Sequence, residues 1–358
     1  MTPLVSILIP TYNAECWIAE TIRSALGQTW PNKEIIVVDD GSTDQTVRVA
    51  QQFASKTVSI VSQKNQGAAA TRNKAFELCQ GDYVQWLDAD DLLSPDKITY
   101  QMRAAREITD GRTLFSSAWA SFRYRPAKAR FIPTSLWSDL APTEWLTRKW
   151  EGNLHMQTAT WLVSRELTEA AGPWDTRLTL DDDGEYFSRV INASSGIRFV
   201  PQSRVYYRIA PTSRLSYIGR SDKKMESQFL SMKLQIGYLR AREDSDRVRA
   251  ACVTYLQTWL PVFYPNRPDL VQEAQQLAAS LGGRLSLPKA SWKYAWIEKL
   301  FGFAAAKHAQ LYYNRGKSSA LRAWDKMMYA LQRHSWSKGR SASSNRRAVV
   351  ADAGILTK

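Results

Sequence analysis

The sequence predicts an α/β chain: a mostly parallel sheet flanked by helices, followed by a helical, basic C-terminal region. Three observations predict it. Short apolar runs alternate with segments of helical spacing through the first part of the chain. Polar clusters rich in Asp, Asn and Ser follow three of those runs, and ligands of parallel sheets gather at the carboxyl ends of strands. The excess of basic residues falls entirely late in the chain.

The elements follow in order. Val5 to Ile9 is a buried-strand run, closed by Pro10, Thr11, Tyr12 and Asn13. From Ala14 to Leu26, Trp17, Ile18, Ile22 and Leu26 share one helical face. Pro31 and Asn32 mark a turn. Glu34 to Val38 is a second strand, ending in Asp39-Asp40-Gly41-Ser42-Thr43-Asp44, where Ser42 or Thr43 is expected to cap a helix running to about Phe53. Thr57 to Val61 is a third strand, and Asn65-Gln66-Gly67 through Arg72-Asn73 opens another helix. Gly81-Asp82 leads into Tyr83 to Leu87, which ends in Asp88-Ala89-Asp90-Asp91. On extended backbone, carboxylates at i and i+2 project to one side. Two hard oxygen ligands suit Mg²⁺ or Mn²⁺, which also take oxygens from a diphosphate.

Thr160 to Arg165 reads as a strand and Glu166 to Ala171 as a short helix, stopped by Gly172-Pro173. Asp181-Asp182-Asp183-Gly184-Glu185 then enters a helix that carries Arg189. Each cluster alone has a plainer reading. Asp88 to Asp91 could cap a helix near Ser94-Pro95, Asp39 to Ser42 could be an ordinary turn, Asn65 to Gly67 a loop, and Asp181 to Asp183 a solvated helix start favoured by the dipole. Arg72 alone would be a surface charge and His155 a structural histidine. Their joint occurrence in order favours a shared site for all but His155.

Residues 1–219 hold 24 Lys and Arg against 24 Asp and Glu, so the whole formal charge of +14 lies after residue 219. This asymmetry divides the chain into 1–219, in which the motifs set 1–110 apart from 111–219, a basic, aromatic-rich helical region 220–334, and a Ser- and Arg-rich tail 335–358 with a disordered composition. Residues 222–260 have helical spacing, Pro261, Pro265 and Pro268 interrupt it, and Gln272 to Leu281 is a further helix. Trp292, Trp296, Phe301 and Phe303 alternate with Lys293, Lys299 and Lys307. Region 290–330 therefore reads either as a packed subdomain or as a surface for anionic membrane. Nucleic acid is the weakest reading of the same charge.

Taken together, Pro10-Thr11-Tyr12-Asn13, Asp39-Asp40-Gly41-Ser42-x-Asp44, Asn65-x-Gly67-x-x-x-x-Arg72-Asn73 and Asp88-x-Asp90 resemble a family-2 glycosyltransferase of the GT-A fold, in the family's order and approximate spacing. The resemblance covers residues 4 to about 215. It implies an inverting transfer from a nucleotide-diphosphate sugar, UDP-linked, to a glycan or lipid-linked acceptor. It places Pro10, Thr11, Tyr12, Asn13, Asp39, Asp40, Arg72 and Asp88 at the nucleotide, with Asp40 accepting from the uracil ring, and Asp90 with Asp88 at a divalent metal, Mn or Mg. Asp182-Asp183, Glu185 and Arg189 match the family's acidic block, with Asp in place of the more usual Glu at the first position. Asp183 is favoured as the base, Asp182 is the second candidate, and Glu185 comes after both. Tyr207-Arg208 and Ser213-Arg214-Leu215-Ser216 resemble the segment that closes the domain, where Arg208 or Arg214 would hold the diphosphate. Residues 112–158 match the family poorly and are expected to build the acceptor side.

The alternatives are weaker. A sugar nucleotidyltransferase would carry a Gly-rich loop with Arg and Lys after the first strand, and a nicotinamide dehydrogenase would need Gly-x-Gly-x-x-Gly there. A non-catalytic nucleotide-sugar-binding or scaffold protein would be expected to lack site acids, and none is missing. Cys16, Cys79 and Cys252 show no metal or redox spacing. No run reaches the roughly 20 apolar residues of a membrane span. With no secretory signal read at the N-terminus, the expected location is cytoplasmic, peripheral on the inner face of the plasma membrane.

Overall fold

The computed structural model describes residues 2–108, 110–209, 221–289 and 291–351. Its strands are β1 (Val5–Thr11), β2 (Lys33–Asp39), β3 (Val58–Ser62), β4 (Tyr83–Trp86), β5 (Leu92–Leu93), β6 (Thr113–Phe122), β7 (Val163–Ser164) and β8 (Gly196–Arg208). Its helices are α1 (Ile18–Leu26), α2 (Thr46–Gln51), α3 (Ala68–Leu78), α4 (Lys97–Arg106), α5 (Pro142–Glu151), α6 (Arg165–Ala171), α7 (Asp182–Ala193), α8 (Asp222–Arg242), α9 (Asp246–Phe263), α10 (Pro268–Ser280) and α11 (Ala295–Ala351). These form two compact units, one of residues 1–121 and 130–289, the other of 122–129 with the chain from 290 onward.

The first unit is built on a sheet of order β3-β2-β1-β4-β7. β1 pairs in parallel with both β2 and β4, β2 with β3, and only β7 runs antiparallel, against β4. The two central strands read as continuous apolar runs because both faces are covered. Val5, Ile7, Ile9, Ile35 and Val37 join one core with α1 and α4, while Leu8, Ile36, Val38, Val84 and Trp86 join the other. Alternate residues of one strand thus serve opposite layers, as the period of 2 requires. A small second sheet, β5-β8-β6, lies beyond, with β5 antiparallel to β8.

Several expectations are corrected. Ser42 and Thr43 do not cap α2, which starts at Thr46 behind Gln45 with no side-chain cap; both are tied to the polar loops described below. β4 ends at Trp86, and Asp91 N donates to the Asp88 carbonyl at 3.1 Å, so Asp88 to Asp91 is a turn and not extended strand. Pro261 lies inside the last turn of α9, and Pro268 starts α10, where a missing N–H costs nothing. The 222–260 segment is two helices, parted at 243–245.

No unit boundary falls at residue 219. Met225, Phe229, Met232 and Ile236 of α8 and Cys252, Tyr255, Leu256 and Leu260 of α9 are buried in the same core as Trp86, Trp145 and Val190. In the second unit, Asp325 of α11 accepts from Tyr124 N at 3.0 Å and Arg125 Nε at 2.7 Å. α11 is broken at Gly302 (φ 81°), and its backbone continues to Ala351, through much of the segment whose composition reads as a disordered tail. Among the described residues no helix is long and apolar enough to cross a membrane.

Candidate active site

The carboxyl ends of β1, β2 and β4 carry three of the polar motifs. Asp39 and Asp40 are both buried. Asp39 Oδ2 accepts from Gly41 N (3.1 Å) and Ser42 N (3.0 Å), and Ser42 Oγ donates to Oδ1. Asp40 Oδ1 accepts from Gln63 Nε2 and Gln66 N, both at 2.9 Å, and Oδ2 from Gly67 N at 2.8 Å. A carboxylate has about four acceptor positions, so Asp40 keeps one on Oδ2 after fixing this loop. Asn13, at φ 48°, closes the rim. Its N donates to Ser42 Oγ at 2.9 Å, and its Oδ1 accepts from Thr43 N at 2.8 Å. Thr11 is buried against this loop, Tyr12 stands half-exposed beside it, and Pro10 completes the strand end. Gly67 precedes α3 at φ 91°, a conformation that favours glycine.

Arg72 joins the motifs. It lies in the second turn of α3, 7% exposed, with its guanidinium 4.5 Å over the Trp174 ring. Nη2 pairs with Asp88 Oδ1 at 3.0 Å and Nη1 with Asp182 Oδ2 at 2.6 Å. One cation thus braces the acid after β4 and the acid that opens α7, far apart in sequence. The Asp182 carboxyl is raised: burial lifts it, Arg72 opposes that in part, and Asp183 and Asp88 add to the rise. Asp182, Asp88 and Asp183 together hold the guanidinium firmly protonated despite its burial. Trp174 is held in turn by stacking on Tyr186 at 3.9 Å and by the edge of Trp86 at 5.2 Å.

Asp182 is therefore committed to Arg72, whereas Asp183 points elsewhere. Its Oδ1 accepts from Gly184 N at 2.9 Å and its Oδ2 from Thr158 Oγ1 at 3.4 Å. It lines a cavity of ≈ 80 Å³ whose walls include Trp145, Lys149, Trp150, His155 and Trp259. The 112–158 segment does face this acid, through α5 and the loop after it. His155 borders the cavity; the crowding around it and Lys149 lower its imidazole pKa, while Asp183 raises it. Glu185 does not line this cavity. It is 1% exposed, paired with Arg189 at 2.7 Å and bound by Tyr238 OH at 2.9 Å.

Reading the sequence missed Asp181 as a separate group. It is partly buried, and the loss of water around its carboxyl together with neighbouring Asp183 pushes that group up to about 6, against the pull of Lys149, Ser231 and Gln235. The signal available was a third acid in a helix start that needs at most two.

Arg208 is 1% exposed. Its Nε donates to the Asp90 carbonyl (2.7 Å), its backbone N to Asp91 Oδ1 (2.8 Å), and it pairs with Glu20 at 2.6 Å. It clamps the Asp88–Asp91 turn from β8, where the sequence expected a ligand for the diphosphate. Arg214 and the rest of the Ser213–Ser216 loop lie outside the described residues. Among the described residues no three His, Cys, Asp or Glu side chains cluster as a metal site. Asp88, whose Oδ1 already takes Arg72, and Asp90 are the residues that would offer oxygens to Mg²⁺ or Mn²⁺, with phosphate and water left to complete the shell.

Residues 6–169 match the model for glycosyl transferase family 2. The putative teichuronic acid biosynthesis glycosyltransferase TuaG of Bacillus subtilis is 44% identical over 108 residues, which is 29% of this chain and 43% of TuaG. Chondroitin synthase of Escherichia coli is 45% identical over 98 residues, 27% of this chain and 14% of that protein. The chain thus spans less than half the length of the curated relatives it matches. The crystal structure of S. aureus TarS 1–349 in complex with UDP-GlcNAc superposes with a TM-score of 0.61 at 18% identity, covering 77% of this chain and 81% of that one. That likeness establishes the fold, the GT-A arrangement the sequence predicts.

Proposed function

We propose that this protein is an inverting glycosyltransferase that moves a sugar from a nucleotide-diphosphate donor, UDP-linked, to a hydroxyl of a glycan or lipid-linked acceptor in cell-envelope or polysaccharide synthesis. The observation that carries the reading is the Arg72 bridge. It gathers the acid after β4 and the acidic block of α7 into one site and leaves Asp183 on the cavity wall beside Asp181, whose Oδ2 is already taken up by Ser231, Gln235 and Gln228. The names of TuaG and chondroitin synthase, and the UDP-GlcNAc bound to TarS, support the substrate class.

The nucleotide sits against Pro10, Thr11, Tyr12, Asn13, Asp39 and Asp40, where the remaining acceptor position of Asp40 meets the N–H of a uracil ring. Arg72 acts from behind, fixing Asp88 and Asp182. The acceptor hydroxyl enters the Asp183 cavity, whose indole walls suit the apolar faces of sugar rings. Asp183 takes the hydroxyl proton, and the oxygen attacks the anomeric carbon from the side opposite the nucleotide. The bond from that carbon to the diphosphate oxygen breaks, and its electron pair leaves with the nucleoside diphosphate. A divalent cation held by Asp90 and Asp88 would neutralise that leaving charge.

The test is a thermal-shift and hydrolysis screen of UDP-, GDP- and dTDP-sugars with Mn²⁺ or Mg²⁺. A UDP-sugar should raise the melting temperature, since a ligand that binds only the folded state stabilises it, and should be hydrolysed slowly. EDTA should abolish turnover, and Asp90→Ala should stay folded without activity. Equal rates with and without EDTA would remove the metal from the reading; no shift with any nucleotide would remove the donor.

A second observation favours an anionic membrane surface as a partner of the second unit, with a peripheral location on the inner face of the plasma membrane. Trp292, Trp296, Leu300 and Phe301 are 83%, 61%, 67% and 70% exposed, and Lys293 and Lys299 are interleaved with them. Each cation near such a surface contributes about 1 kcal/mol. Vesicles containing phosphatidylserine should therefore pellet the protein at low salt, and reversing Lys293, Lys299 and Lys307 should release it. Equal pelleting with neutral vesicles, or none with either, would leave that face without a lipid role.

A further inference from the structure

The base candidate begins a helix whose first turn is gripped from an unexpected direction. Asp181 immediately precedes α7 in the left-handed region, φ 55°, a conformation that costs a non-glycine residue energy and persists only where its surroundings hold it. Its Oδ2 accepts from Ser231 Oγ (2.7 Å), Gln235 Nε2 (2.8 Å) and Gln228 Nε2 (3.1 Å), all on α8, and lies 3.4 Å from Tyr255 OH on α9. Its Oδ1 packs against Gly184, where any Cβ would overlap it. The Gln235 amide cannot simply turn over, because that would set its Oε1 against the Asp181 carboxylate; as it stands, Oε1 faces Ser188 Oγ at 3.0 Å, one turn further along α7. The backbone is held too, since Thr179 N and Leu180 N both donate to Ser227 Oγ, at 2.8 and 2.9 Å. A buried polar network satisfied this fully fixes one geometry.

We infer that Asp181, anchored by Ser231, Gln235 and Gln228 of α8, is a positioning residue that aims the Asp183 carboxylate into its cavity. The inference rests on Asp183 being the base. Asp181 lines the same cavity with its Oδ2 engaged by α8, and its backbone turn decides where residues 182 and 183 project: one to Arg72, the other to the cavity. On this account α8 and α9 belong to the catalytic machinery, although the charge distribution assigns them to another region.

The test uses the full chain with Asp181→Ala and Asp181→Asn. Crystals of each variant report the Asp183 side chain directly. With the anchor gone, Asp181→Ala should move the carboxylate out of reach of Thr158 Oγ1 and Gly184 N; Asp181→Asn, which keeps an acceptor oxygen, should leave it near its place. With UDP-GlcNAc as donor, Asp181→Ala should lower kcat by about 10²-fold, the usual cost of an ångström-scale misplacement. UDP affinity should stay within about twofold, because the nucleotide end is held by other loops. Asp181→Asn should recover most of the rate. An Asp183 carboxylate unmoved in Asp181→Ala would overturn the inference, as would UDP affinity falling in step with kcat. Should the alanine variant fail to fold, Gln235→Leu is read by the same two measurements. If the wild type turns over no UDP-GlcNAc, the reading of that donor fails, and the crystal position of Asp183 alone decides the inference.

Discussion

Asp183→Asn should lower turnover roughly 10²–10⁴-fold, the range for a lost general base, while UDP binding changes little. The amide keeps the shape and the contacts to Thr158 and Gly184 but cannot take a proton. Steady-state kinetics with the donor found in the screen, beside calorimetry with UDP, separates the two effects. Asp182→Asn should behave differently. Asp182 is the partner of Arg72 at 2.6 Å, so its loss should lower the unfolding midpoint and weaken the donor site along with the rate. If Asp183→Asn retains activity and a folded, UDP-binding Asp182→Asn does not, the assignment of the base moves back by one residue.

Arg72→Met should cost about 3–5 kcal/mol of folding stability, because it removes the counter-charge of acids that stay in place. Met fills the volume and keeps contact with Trp174, so the loss reports charge more than packing. Urea unfolding measures it. The loss should also depend on pH. Burial raises Asp182 and Arg72 opposes that, so without Arg72 the folded carboxyl binds its proton more tightly still. Above the unfolded carboxyl pKa of roughly 3.9, the folded variant then carries more protons than the unfolded chain, and its stability falls as pH rises. A variant as stable as wild type near neutrality would mean that the bridge does not hold the site together.

The parallel sheet was legible because burial on both faces leaves long apolar runs, as in Ile35 to Val38, and polar loops must follow them at the ligand end. The acidic motifs were legible as residue types, and Arg72, Asp88 and Asp182 do come together. Their local geometry was not. Extended backbone at Asp88 and Asp90 would require β4 to continue, whereas the strand ends at Trp86 and a hydrogen bond from Asp91 N to the Asp88 carbonyl closes a turn after it. Ser42 and Thr43 look like caps because short hydroxyl residues favour both caps and turns. Which role they take depends on Asn13, some 30 residues away. Arg208 looked like a phosphate ligand since its charge is visible in sequence and its burial is not. The boundary at residue 219 followed the charge, yet charge describes the outer faces of α8 and α9, while their apolar inner faces join the core of the first unit.

The Asp181 anchor bears on the order in which this chain becomes competent during synthesis. Gln235 and Tyr255 lie 54 and 74 residues beyond the aspartate they bind. Contacts of long sequence separation close late, after the loop entropy of the intervening chain has been overcome. The sheet, with its strands complete by Ser164, can assemble on the ribosome well before α9 has emerged. A nascent chain would thus gain its nucleotide loops first and its aimed carboxylate last, and could hold a donor before it can release the sugar.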